Sequence, residues 1–469
     1  MRRARFAFAL ACMLAACGSG GKAAVGTLPP PKAEASPAGL RTPFVPAPPT
    51  AAPFGPPVVP PTPEVWASPG SYGSPPPTTT PIPSAVQPLL LPPGTQNILL
   101  LGSDRRSGTG FRTDTIILAS LQPQRHTVTL LSIPRDLYVY LPGYSMQRIN
   151  AAWTYGQVIG YPGGGSQLLF DTIRYNLGLH VDHYALVEMS GFEQAVDTLG
   201  GLDVRVACSY TDWKLKARDL EPSVRANWAL STVPSGIVHM DGYDALWYAR
   251  SRQRSSDYDR ARRQQEILRA AFRRALSLDA FANLPAFYTD LRDLVVTDIG
   301  LTDAGSLALA GLHVDLAHIH SRFIGRPQII GWTIPGSGAQ VLLPKPEAIR
   351  ALLEEAFLFP EEDPSAPILS VEVVDAAGRP DWAELAMDRL AYAGLEAEPG
   401  PTTSQREPVS LLIDFGQAAD EQRQVVLHAL GLSRASVVEL DDPSAATPFR
   451  LLVGENYNPC FDPAQLSAD

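Results

Sequence analysis

The sequence predicts an α/β protein: a central sheet flanked by helices, followed by a second, small α/β domain. Three observations carry this. Residues 97–101 (NILLL) are a continuous apolar run, the pattern of a strand covered on both faces. Segments of strand and helix period then alternate as far as residue 357. After a short break the alternation resumes at residue 368 and continues into the C-terminal region. A chain of 469 residues has room for two or three separate cores.

The first 17 residues read as a targeting segment rather than structure. Residues 1–5 carry three arginines, and residues 6–16 are apolar but too short to cross a bilayer core of ~30 Å. The run ends in LAACG, which resembles a bacterial lipobox with Cys17 as the lipidated residue. No later run reaches the length of a spanning helix, so the lipid is expected to be the anchor, holding the chain outside the cytoplasm at the bacterial cell membrane. Residues 18–93 are dominated by Pro, Ala, Ser, Thr and Gly and predict a disordered linker of polyproline II character.

The first folded domain is expected over residues 94–360. Strands are predicted at 97–101, 115–121 and 127–133, and the polar groups of GSDRR (102–106), RTDT (112–115) and SIPRD (132–136) fall at their ends. Open α/β sheets bind ligands at strand ends. Next come a helix at 166–179, a strand at 183–189, a short helix at 192–199 and a strand at 202–206. Residues 208–235 read as irregular. Helices follow at 241–248, 259–277, 280–292 and 302–317, then a strand at 328–334 and a helix at 346–357. Residues 361–367 form a second linker, and the small α/β domain occupies 368–469.

The most informative stretch is residues 248–268, YARSRQRSSDYDRARRQQEIL. Its first half is an arginine-dense loop, and its second half opens a helix near Asp257 or Asp259. At 100° per residue, Gln264, Ile267, Leu268, Ala271 and Ala275 lie within about 80° of Arg260. Arg260 and Gln264 are therefore placed on the inward face, and Arg262, Glu266, Arg269 and Arg273 on the wet one. An inward arginine is costly unless an anion meets it. Asp104 and Asp114, at facing strand ends, suit Mg²⁺ or Mn²⁺ held together with phosphate oxygens. Arg112, Arg135, Arg250, Arg252 and Arg260 are too many cations for two aspartates, and a phosphate or diphosphate between metal and arginines satisfies both sides.

The net charge of −10 removes any general attraction to nucleic acid or anionic lipid, and no nucleic-acid, Walker A or Gly-x-Ser-x-Gly signature is present. His180 with His183 and His318 with His320 are pairs lacking a third ligand. Of the four cysteines, Cys12 leaves with the signal and Cys17 carries lipid. Cys208 and Cys460 either pair in an oxidising compartment or remain as two buried thiols.

NILLLGSDRR (97–106), RTDTIILASL (112–121), LLSIPRDLYV (130–139), RINAAW (148–153), DHYALVEMSGFEQAVDTLGGLDVRV (182–206) and ALWYARSR followed by DYDRARRQQ (245–265) resemble the LytR-CpsA-Psr family. Residues 368–457 more loosely resemble the C-terminal domain often appended to it. The resemblance implies a mixed central sheet with a hydrophobic tunnel for a polyprenyl tail. It implies a phosphotransferase that moves an anionic glycopolymer from a polyprenyl-diphosphate carrier to a peptidoglycan hydroxyl. Asp104 and Asp114 then correspond to the metal ligands, and Arg135, Arg250, Arg252, Arg260 and Gln264 to the diphosphate-binding residues. Asp136, Asp257 and Asp259 are the candidates for general base. The alternatives are a diphosphohydrolase built on the same site and a non-catalytic receptor for lipid-linked glycan. Family members are usually anchored by a transmembrane helix, whereas here a lipid and a Pro-rich leash are expected.

Overall fold

The structure, a computed structural model, describes residues 66–68, 70–71, 80–103, 112–277, 294–311, 314, 319–358, 369–393 and 395–460. Cys17, Asp104, His318, the expected helix at 280–292 and the linker at 361–367 lie outside them. Among the described residues no helix is long and apolar enough to cross a membrane.

The chain enters the sheet with β1 (Gln96–Ser103), β2 (Thr113–Gln122) and β3 (Thr127–Ser132), an antiparallel meander. A short ribbon, β4 (Tyr138–Tyr140) with β5 (Met146–Arg148), leads to helices α1 (Ala152–Val158) and α2 (Gly164–Leu177). The last ends on Gly178, whose φ of 72° gives the left-handed cap that glycine accommodates without strain. Strand β6 (His183–Glu188) returns parallel to β1 and is followed by α3 (Met189–Thr198). Two ribbons come next: β7 (Leu202–Val206) pairs with β10 (Gly236–Met240), and β8 (Tyr210–Leu215) pairs with β9 (Trp228–Val233). Helix α4 (Gly242–Arg250), capped by the Asp241 side chain on the Asp244 N–H, leads into α5 (Asp257–Ser277). Strand β11 (Val295–Thr297), α6 (Leu301–Gly311) and β12 (Ile319–Phe323) complete the sheet in the order β11-β6-β1-β2-β3-β12. The β13 (Ile329–Thr333) and β14 (Gln340–Pro344) ribbon and α7 (Pro346–Phe357) close the domain. Pro346 opens α7 in the first turn, where its missing N–H has no intrahelical partner to lose.

The mixed sheet is covered on both faces, as NILLL implies. Leu99, Leu101, Ile116, Leu118 and Leu131 pack against α1, α2 and α7, whereas Ile98, Ile117, Ala119, Val128 and Leu130 pack against Phe272, Val295, Ile299 and Leu307. Strands β1, β3, β6 and β12 run in one direction, so their C-terminal ends share one edge of the sheet. The second sheet holds β15 (Ser370–Asp375), β16 (Glu396–Pro399), β17 (Leu411–Asp414), β18 (Val437–Glu439) and β19 (Phe449–Val453) in the order β16-β15-β19-β17-β18. Helices α8 (Pro380–Tyr392) and α9 (Asp420–Leu430) pack on it.

Three expectations are corrected. Residues 208–235 are not irregular: they contain the β8–β9 ribbon, whose strands mix polar and aromatic residues and have no apolar alternation to read. The folded body begins before residue 94. The Val86 N–H donates to Tyr175 O at 3.0 Å, the Leu89 N–H to Gly178 O at 2.8 Å, and the Tyr175 hydroxyl to Pro83 O at 2.7 Å. Finally, the face of α5 that reads as wet is buried: Arg262 and Arg269 are each 2 % exposed and Glu266 4 %. Arg262 pairs with Glu266, which also accepts from the Tyr248 hydroxyl at 2.7 Å. Arg269 donates to Ser321 Oγ at 3.1 Å and stacks 4.4 Å from the Tyr392 ring of α8, and Arg273 lies 3.5 Å from Asp388. Arg262 finds its partner one turn along its own helix, whereas Arg269 and Arg273 are met by residues from distant parts of the chain, which helical periodicity does not reveal.

Candidate anion-binding site

The shared edge of the sheet meets the N-terminal end of α5. Asp114 lies at the start of β2, and Arg135 and Asp136 lie in the turn after β3. Arg252 belongs to the loop between α4 and α5, whose approach depends on Gly242: a Cβ there would lie 2.2 Å from the Glu193 carbonyl oxygen of α3. Arg135 Nη1 bonds Asp114 Oδ1 at 2.6 Å, and its Nε lies 3.4 Å from Asp136 Oδ2. Asp136 Oδ1 is 3.2 Å from Arg148 Nε. Asp257 Oδ1 lies 3.2 Å from Arg260 Nη2 and 3.7 Å from Arg252 Nη1, so one carboxylate serves two guanidinium groups.

Arg260 is 9 % exposed. Burial pushes its pKa below the ordinary value. Asp257 counters this, the charges of Arg135 and Arg252 add to it, and Asp114 offsets part of it. Arg135 moves the other way: burial opposes its charge, but Asp114, Asp136 and Asp257 outweigh burial. The structure thus brings Asp114, Arg135, Asp136, Arg252, Asp257 and Arg260 into one charged cluster in which Arg260 is under-compensated. Gln264 sits beside it, donating to Thr115 Oγ1 at 2.9 Å and Ala249 O at 3.2 Å, which ties α5 to β2. Arg112 is exposed just before β2. Arg250 ends α4, exposed, and its charge acts on Glu193, whose carboxyl burial raises and Arg218 and Arg250 lower. Asp259 accepts from Ser256 N at 3.2 Å and Ser256 Oγ at 2.9 Å, a capping role at the start of α5. Of the histidines, His180 lies 3.3 Å from Asp182 and His183 3.6 Å from Asp298. Among the described residues no three His, Cys, Asp or Glu side chains gather as a metal site.

Sequence reasoning missed Arg263. It is fully buried, donates to Tyr248 O, to Ser251 O at 2.6 Å and to Ser255 Oγ at 3.1 Å, and lies 3.9 Å above the Tyr210 ring. These bonds bridge both ends of the arginine loop. The signal was present, because Arg263 falls roughly 60° from Arg260 on the same helical wheel.

Fold and site together define an α/β protein with a partly buried cluster of arginines and aspartates at one sheet edge. The chain belongs to the LytR_cpsA_psr family, whose family model matches residues 83–342. It is 33 % identical over 207 residues to the polyisoprenyl-teichoic acid–peptidoglycan teichoic acid transferase TagU of Oceanobacillus iheyensis, covering 44 % of this chain and 59 % of that protein. The Enterococcus faecalis protein of the same name is 30 % identical over 220 residues, covering 45 % and 64 %. Regulatory protein MsrR of Staphylococcus aureus is 30 % identical over 207 residues, covering 44 % and 57 %. The chain therefore spans less than two thirds of the length of these relatives. Among solved structures, Bacillus subtilis TagV matches with a TM-score of 0.46 and 26 % identity over 57 % of this chain and 98 % of that one.

Proposed function

We propose that this protein transfers a phosphate-linked glycan from a polyprenyl-diphosphate carrier to a hydroxyl of the cell wall. The observation that carries the reading is Arg260: a guanidinium nine-tenths buried, sharing one half-exposed carboxylate with Arg252. A diphosphate supplies the missing negative charge and accepts the planar donors of Arg135, Arg252 and Arg260. Both transferase relatives are named as polyisoprenyl-teichoic acid–peptidoglycan teichoic acid transferases, which supports the transfer reading.

In this reading the three arginines neutralise the diphosphate and stabilise the charge that develops on the leaving lipid phosphate. The acceptor hydroxyl attacks the phosphorus attached to the glycan, the bond from that phosphorus to the bridging oxygen breaks, and the lipid monophosphate departs. Asp257 takes the hydroxyl proton. It faces the cluster with its side chain half exposed, whereas both oxygens of Asp136 lie within ion-pair distance of arginines and Asp259 caps its helix. Asp136 instead orients Arg135. The half-exposed Asp114 carboxylate beside phosphate-binding arginines fits an oxygen-liganded Mg²⁺ or Mn²⁺. Asp114 and Asp104 would hold the ion, which when bound supplies further neutralisation of the phosphate oxygens. Lipidation at Cys17 would keep the domain within reach of its carrier at the outer face of the membrane.

The test incubates the protein with a synthetic polyprenyl-diphosphoryl sugar, Mg²⁺ and peptidoglycan oligomers, followed by mass spectrometry. A sugar-phosphate adduct on the oligomer is expected, and Arg260→Ala should reduce its rate by at least about a hundredfold, with the fold retained. Sugar phosphate released without an adduct, or near-normal transfer by Arg260→Ala, overturns the reading.

A further inference from the structure

A cleft is lined by the part of the arginine loop that follows Arg252. An open cleft of about 850 Å³ is walled by the β7–β8 turn and the Arg254–Ser256 end of the arginine loop on one side. The end of α9 and Cys460 form the other side, with Arg262 and Arg389 also lining it. Its size lies in the range of ligand sites. Its walls are held in place. The Cys208–Cys460 disulfide crosses one end, and Arg389 fixes the far side by donating to the carbonyls of Ala429 at 2.5 Å and Asn458 at 3.1 Å. The lining is hydroxylic and carries guanidinium groups: Ser209, Thr211, Ser255 and Ser256 contribute hydroxyls, Arg254, Arg262 and Arg389 contribute positive charge, the exposed His428 lies among them, and Asp259 is the carboxylate among the lining residues. Arg254 has no ion pair or hydrogen bond among the described residues, and the buried Arg262 has an unpartnered Nε. The same loop turns Arg252 toward the diphosphate cluster and, two residues on, Arg254 toward the cleft.

We infer that this interdomain cleft binds a hydroxyl-rich glycan strand carrying acidic groups and guides it to the diphosphate site. The inference rests on the proposed transfer reaction and adds to it a role for the C-terminal domain as one wall of the glycan path. A hydroxyl-lined cleft with excess positive charge suits an acidic saccharide better than a lipid or an apolar peptide, for which it offers little beyond Leu427 and Leu432. Two glycans share this chemistry, the acceptor strand and the polymer on the donor, and the experiment separates them.

The full-length protein in detergent is titrated calorimetrically with short peptidoglycan fragments, with a lipid-free anionic wall glycopolymer, and with farnesyl diphosphate as a probe of the arginine cluster. Arg254→Glu combined with His428→Glu changes only exposed side chains. It should weaken glycan binding by at least about tenfold while leaving farnesyl diphosphate binding unchanged. Thr211→Trp, which fills the cleft without altering charge, should do the same. Loss confined to the peptidoglycan fragments identifies the acceptor, and loss confined to the glycopolymer identifies the donor. Glycan affinity unchanged in both variants, or wild-type protein that binds farnesyl diphosphate but neither glycan, overturns the cleft. Wild-type protein that fails to bind farnesyl diphosphate overturns the proposed function instead.

Discussion

Glu266 shows how this chain tolerates charge in its interior. It is 4 % exposed, pairs with Arg262, and accepts from the Tyr248 hydroxyl, whose pKa burial raises and Glu266 raises further. Burying such a pair gains little against an apolar pair of the same volume, but removing one partner strands the other charge. Glu266→Ala should therefore cost about 3–5 kcal/mol, read as a lower urea midpoint. The double replacement Arg262→Met with Glu266→Leu should recover most of that loss. A Glu266→Ala midpoint equal to wild type would mean that Arg262 finds water or another anion. Arg260 is also buried, at 9 % exposure, but it shares the half-exposed Asp257 carboxylate with Arg252 instead of having a buried partner of its own, and on the proposed function that contrast separates a ligand-binding arginine from a structural one on the same helix.

The element that matters most is the loop between α4 and α5, because it carries Arg252 to the cluster around Arg260 and Arg254 to the cleft. Arg263 holds it from beneath through Tyr248 O, Ser251 O and Ser255 Oγ, and Asp212 of β8 accepts the Gln253 N–H at 2.9 Å. Lysine keeps the charge but cannot bridge three acceptors with a planar fork. Arg263→Lys should speed amide exchange across residues 248–256 without changing exchange in the interior of α5, and should lower farnesyl diphosphate affinity about tenfold. Unaltered exchange in the loop would remove Arg263 from this role. At this scale the main sheet was legible wherever strands carried long apolar runs: residues 97–101 and 115–121 lie within observed strands, and 127–133 overruns its strand by one residue. The short strands β4, β5, β11 and β16 gave no such pattern, since three or four residues cannot establish a period. The inward Arg260 and Gln264 were legible from helical spacing, but the burial of Arg269 was not, because what covers it comes from 50 or more residues away.

Across the whole folded body, helix α5 is held between the large sheet and helix α8 of the C-terminal domain. Helix α5 reaches the large sheet through Gln265, which donates to Ser132 Oγ at 2.9 Å and Leu130 O at 3.3 Å. It reaches α8 through Arg269 on Tyr392 and Arg273 near Asp388, and Asp388 also pairs with Arg205 of β7 at 2.6 Å. This interface is charged rather than apolar, so no hydrophobic surplus on either domain advertises it in the sequence, and the cysteines alone left both pairing and free thiols open. The disulfide between Cys208 and Cys460 closes a loop with a sequence separation of 252 residues. Cross-linking so distant a pair restricts the unfolded chain, and loss of a native disulfide typically costs about 2–5 kcal/mol. The large core here does not depend on it, so Cys208→Ser with Cys460→Ser should fold but unfold at a lower denaturant midpoint by an amount in that range. Reductant should lower the wild-type midpoint to the same value and leave the variant unmoved. Two titratable thiols in unreduced protein, or a wild-type midpoint indifferent to reductant, would show that the domains are held by Arg205, Arg269 and Arg273 without the covalent link.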